Sequence, residues 1–206
     1  MVFRFLTRSM VWIALLVCAI GSVPGAESPH LEEVGVAFVV DGPSDEIDAV
    51  ISLCKEEIRV LTKSEFNVVY PEHSQRAADW TLDGARKAVH AALDDPEVDL
   101  VINLGILTTQ VSCCLDDLPK PVISPVVIDA KLQGFPMENG TSGRKNLSYV
   151  AFEDTLVAEL KLLRRVVNFK KIAMVDNGNL LSEMPEVSLV AEAALAAEGI
   201  DSVFVS

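Results

Sequence analysis

Two hydrophobic regimes alternate along this chain: short runs that are almost wholly apolar, and longer stretches whose apolar residues recur at helical spacing. Val34–Val40 reads VGVAFVV, the pattern of a strand covered on both faces. It ends in Asp41-Gly42-Pro43-Ser44, a turn that leaves Ser44 placed to cap a following helix. From Asp45 onward, Ile47, Val50, Ile51, Cys54, Ile58 and Leu61 fall on one helical face, and Asp45 and Glu46 suit the helix dipole. A second strand is expected over Phe66–Pro71. A helix over Thr81–Asp95 then follows, with Ala85, Ala88, Val89, Ala92 and Leu93 inside and His90 off the stripe.

The third strand, Val98–Gly105, runs into Ile106-Leu107-Thr108-Thr109, so hydroxyls stand where an apolar strand ends and a helix begins. Lys120–Asp129 reads as a fourth strand and Leu147–Phe152 as a short further one. A helix over Thr155–Val167 directs Leu156, Leu160, Leu163 and Val167 inward. Lys170–Asn177 is the next strand, Glu186–Gly199 a helix stopped by Gly199, and Asp201–Ser206 a closing strand. Strands this apolar, separated by amphipathic helices, specify an α/β fold: a parallel sheet flanked by helices, built from right-handed βαβ units. One stretch breaks the rhythm. Ala130–Asn146 is long and polar, with three glycines, where a helix should return; such a loop is functional or joins two lobes.

The N-terminus changes the picture. Arg4 and Arg8 precede an apolar run of 11 residues, Met10–Ile20, and then small and turn-forming residues up to Ala26. That run is too short for a bilayer-spanning helix, which needs about 20 residues. The order describes a secretory signal peptide over residues 1–26, cleaved after Gly25 or Ala26. Lipid anchoring at Cys18 is the alternative, weakened by Val17 where a small residue is required. Loss of Arg4 and Arg8 leaves 15 basic against 30 acidic residues, a surface that repels phosphate backbones and excludes nucleic acid as a partner. Cys54, Cys113 and Cys114 then remain. Cys54 belongs to a helix's apolar face, and the adjacent pair reads as helix residues under the sheet.

Catalytic chemistry finds little to work with. No Gly-x-Gly-x-x-Gly, phosphate loop, nucleophile elbow or Cys-x-x-Cys occurs, and His30, His73 and His90 are scattered. No catalytic residue, metal or cofactor is therefore expected. What the pattern does offer is polar residues at the C-terminal ends of strands: Asp41, Gly42 and Ser44, then Thr108 and Thr109, then Asp129, then Asp176 and Asn177. In an open parallel sheet that edge faces the crevice where ligands bind. Each alone could equally be a cap or a turn former.

The order Asp99–Gln110, Lys120–Phe135, Gly143–Phe152 and Glu159–Asn177 resembles the type 1 periplasmic solute-binding proteins, in particular the ABC transporter substrate-binding proteins of the tryptophan/tyrosine type. Gly143, Asn146, Ser148 and Val150 match that family's crossing between lobes. The resemblance implies a first α/β lobe over residues 33–150 and the start of a second over 151–206, with a cleft that closes on a small solute. It implies Ser44, Thr108, Thr109 and Asp129 as ligand-binding residues of the first lobe, faced by Asn177. The expected function is solute binding in the periplasm for an ABC-type transport system, with a small polar solute such as an amino acid and the transporter's membrane subunit as partners. Members of that family are longer, so the second lobe is expected to be incomplete. The alternatives are a periplasmic accessory protein of an envelope transport or efflux system without its own solute, or a non-transport sensor domain on the same fold.

If the leader reading holds, protein recovered from the exported fraction lacks Met1 to about Ala26 by intact mass. Retention of the complete N-terminus contradicts it, and an added acyl mass at Cys18 supports the anchored form.

Overall fold

The computed structural model describes residues 31–150, 155–175 and 183–205, with the side chains of 155–157 excepted. The expected signal peptide and Asn177 lie outside them. Glu33–Ser206 forms one compact unit.

Its larger sheet is built from β1 (Glu32–Val40), β2 (Phe66–Val69), β3 (Gln75–Ala77), β4 (Leu100–Asn103), β5 (Val122–Ser124) and β6 (Leu147–Tyr149), in the order β2-β1-β4-β5-β6, with β3 also on β1. The pairings β1–β3, β1–β4, β4–β5 and β5–β6 are all parallel. Connecting helices are α1 (Asp45–Thr62), α2 (Leu82–Asp94) and α3 (Ile106–Cys114). The alternation of β1 sorts its side chains between two layers. Val36, Phe38 and Val40 join Ile102, Leu104 and Ile51 of α1, whereas Ala37 and Val39 join Val101 and the inner faces of α2 and α3. The unbroken apolar run of β1 is thus the mark of a strand buried on both sides.

Several local expectations need correction. Val50 and Leu61 of α1 are exposed, because the face over the sheet follows the narrower stripe Ile47, Ile51, Cys54, Ile58. The polar turn after β2 contains a short strand, β3, because the register Phe38↔Gln75 to Val40↔Ala77 uses backbone groups alone. The fourth strand stops at Ser124, before a proline that cannot donate to a ladder, so Asp129 lies five residues beyond the strand end.

The long loop after β5 is pinned. Ala130 and Phe135 enter the core, Tyr149 Oη donates to Pro136 O, and Gln133 Oε1 accepts from the amides of Ile128 and Asp129. Arg144 donates to the carbonyls of Cys113 and Leu115, closing the C-terminal end of α3. Asn146, at φ 62, adopts the left-handed conformation that asparagine tolerates.

A second, two-stranded parallel sheet pairs β7 (Lys171–Val175) with β8 (Asp201–Val205). Helices α4 (Thr155–Val166) and α5 (Pro185–Ala197) accompany it. One face, through Ile172 and Met174, meets Leu160, Leu195 and Ile200; on the other, Val175, Val203 and Val205 are exposed. Leu163 and Val167, expected inward, are exposed, because a two-stranded sheet offers too little surface to cover the whole helix stripe.

Cys113 faces the core from α3 while its neighbour Cys114 is exposed. Burial, with a smaller contribution from Cys114, pushes the Cys113 thiol from 9.0 up to about 12. The folded chain therefore holds this proton more tightly than the unfolded one. The resulting stability is complete below about pH 9 and is lost as pH rises toward about 12. Over that range the unfolding free energy of the wild type should fall more steeply than that of Cys113→Ala. Parallel curves in urea titrations at each pH would contradict the assignment.

Candidate functional site

Because the strands are parallel, their C-terminal ends share one edge. Asp41–Ser44, Ala78–Thr81, Leu104–Ile106 and Pro125–Asp129 leave the larger sheet there. The edge is organised by Asp41. Its Oδ2 accepts from the amide of Leu107 at 3.0 Å and its Oδ1 from that of Thr108 at 2.9 Å. These are first-turn amides of α3, whose own N-cap residue is Gly105 and carries no side chain to satisfy them. Asp41 supplies the missing cap from the next strand, and its negative charge suits the helix dipole. A Cβ on Gly105 would lie 2.0 Å from Asp41 Oδ1, so only glycine admits the carboxylate.

The Asp41 carbonyl accepts from the Trp80 amide at 2.7 Å. Trp80 adopts φ 66, a strained conformation for a bulky residue, and a Cβ on Gly42 would meet its indole at 2.2 Å. Trp80 nevertheless remains 47% exposed at the edge. Beside it, Asp79 Oδ1 accepts from the Thr81 hydroxyl at 2.6 Å, which lowers the Asp79 pKa below the usual carboxylate range. Thr81 Oγ1 in turn accepts from the Gly84 amide and caps α2.

Under the edge lies a buried polar knot. Asn103 Nδ2 donates to Ser112 Oγ at 2.7 Å and Ser124 Oγ at 3.1 Å, tying β4 to α3 and β5. All three residues are fully buried.

The expected ligand residues divide in a plain way. Ser44 caps α1, accepting from the Ile47 amide at 3.5 Å, and donates to Glu46. Thr108 is buried, and its hydroxyl bonds back to Gly105 O at 3.3 Å. Thr109 is fully buried, and its hydroxyl has no partner among the described residues. Asp129 Oδ1 accepts from the amides of Lys131 and Leu132 at 3.0 Å each, forming a tight turn. Thr108 and Thr109 are brought beside the Asp41 knot, whereas Ser44 and Asp129 each close a loop of their own. Trp80 stands at the same edge and is not among the expected ligand residues. Its signal was an aromatic one position before a helix cap, in a stretch read as polar turn. Among the described residues, no group of three or more His, Cys, Asp or Glu is placed to hold a metal, and no helix is long and apolar enough to cross a membrane.

No family model matches the chain, and neither does any curated protein. Solved structures do. A conserved domain protein from Vibrio cholerae O1 biovar El Tor aligns over 84% of this chain and 56% of its own, at 15% identity and a TM-score of 0.57. The ABC domain in complex with L-Trp from Streptococcus pneumoniae aligns over 82% of this chain and 55% of its own, at 12% identity and a TM-score of 0.52. A periplasmic binding protein type 1 from Bordetella pertussis Tohama I aligns at 15% identity with a TM-score of 0.46. The chain spans little more than half the length of the first two. At these identities the likeness is one of fold: a parallel sheet flanked by helices.

Proposed function

We propose that the chain is a solute-binding protein acting outside the cytoplasm for an ABC-type transport system, taking a small polar solute between two lobes. The observation that carries this reading is Trp80, a strained and half-exposed indole held at the C-terminal edge of a parallel sheet. Strain of that kind persists where the surrounding structure imposes it, and such positions cluster at ligand sites. The leader sequence, the resemblance of Asp99–Asn177 and the likeness in fold to a domain solved with L-Trp support the reading. No catalytic role is assigned.

The chemistry of the edge narrows the solute. Asp41 already takes the first amides of α3, so a solute carboxylate is not held there. Trp80 offers a flat apolar face, and the neighbouring Asp79 offers a counter-charge to an ammonium group. This fits an amino acid or a related amine. In this proposal Ser44 forms the rim, Thr108 and Thr109 support the floor, Asp129 fixes the loop after β5, and Asn177 faces them.

Thermal unfolding with single amino acids tests this. A ligand present at 100 times its dissociation constant adds roughly 2.7 kcal/mol. At least one amino acid should raise the Tm, with the rise abolished in Trp80→Ala. Organic acids without an amino group should leave the Tm unchanged. If no amino acid or amine raises it, the reading fails in favour of an accessory protein that binds a protein partner.

A further inference from the structure

Helix α5 belongs to two cores, one at each of its ends. Leu195, near the helix's C-terminal end, packs with Leu160 and Ile200 of the smaller sheet. At the other end, Met184 is 2% exposed and, with Val187, is buried in the core of the larger sheet, against which Leu82 packs. Just before Met184, Glu183 reaches α2: its Oε2 accepts from the Leu82 amide at 2.8 Å, across a separation of 101 residues. Thr81, the N-cap residue of α2, takes the Gly84 amide, which leaves the Leu82 amide as a first-turn donor with no partner inside its own helix.

We propose that Glu183–Val187 is a strap that clips the smaller sheet to the larger one, with the Glu183 carboxylate as its latch and Met184 as its plug. The latch is a charge-assisted bond at the positive end of a helix, which strengthens it beyond a neutral cap. Any opening between the two sheets has to draw Met184 out of an apolar core and release the Leu82 amide in the same movement. A latch and a plug one residue apart therefore let go together. The arrangement is closed by the chain's own side chains, so a solute is not needed to hold it. This inference rests on the packing of Met184 and Val187 and on one hydrogen bond, and its failure would leave the solute-binding reading standing.

Amide hydrogen exchange, resolved by residue in the full chain without solute, tests the strap. In Glu183→Ala, the amides of Leu82 and of Val187, which donates to Met184 O, should both exchange on the order of tenfold faster. The amides of Gly84 and Phe38, held by bonds the strap does not make, should be unchanged. Glu183→Gln, which keeps an acceptor but loses the charge, should fall between the wild type and Glu183→Ala, and it decides the matter alone if the alanine variant does not fold. Acceleration at Leu82 without Val187 would reduce Glu183 to a plain helix cap and overturn the strap. Unchanged exchange at both positions would overturn it outright.

Discussion

The Asp41 carboxylate, set across the first turn of α3, is the constraint on which the C-terminal edge of the larger sheet depends. It leaves β1 at the point where the strand's apolar run stops, and it satisfies two amides that Gly105 cannot. The small residue at position 105 and the acid at position 41 are one device, since a side chain at the first would displace the second. Once α3 is fixed in this way, Ser112 comes within reach of Asn103, and Asn103 reaches Ser124 on β5. The carbonyl of the same Asp41 holds the Trp80 amide. Three neighbouring strand ends are thus registered to one another by side chains of the edge as well as by the ladder. This buried network ties β4, α3 and β5 together through Asn103 Nδ2, while Asn103 Oδ1 is buried without a partner among the described residues.

Much of the fold was legible because it rests on periodicity. The two-sided burial of β1, the inner stripe of α2 and the parallel order all follow from apolar spacing that the sequence displays directly. The errors share a cause as well. β3 pairs through backbone atoms alone, so side-chain pattern could not reveal it, and Pro125 ends β5 although the apolar run continues to Ile128. The outward Leu163 and Val167 depend on how much sheet lies beneath α4, which no local window contains.

The shared edge of the strand ends was legible in the sequence, whereas the roles of its residues were not. Polar residues at strand ends did mark the edge, yet most prove to be spent on the protein's own amides: Ser44 on α1, Asp129 on its turn, Asp41 on α3. Caps and ligand contacts use the same residue types for the same physical reason, so composition cannot separate them. What does separate them is leftover capacity, and among the described residues of this edge that belongs to the exposed side of Trp80, at φ 66, and to the unpartnered hydroxyl of the buried Thr109. Together with the strap from α5, this gives an edge tied beneath by Asn103 and clipped to the smaller sheet.

The claim that Asp41 and Gly105 act as a unit is tested most directly by a double-mutant cycle in urea unfolding. Asp41→Ala alone removes the acceptor of two buried amides and should cost about 3 kcal/mol. Gly105→Ala alone should also be costly, because its new methyl group overlaps the carboxylate. With both changes present, the overlap disappears, so the two costs should fall short of additivity by at least about 1 kcal/mol. Additivity to within about 0.5 kcal/mol, or an Asp41→Ala cost below that value, would show that the carboxylate does not hold the edge.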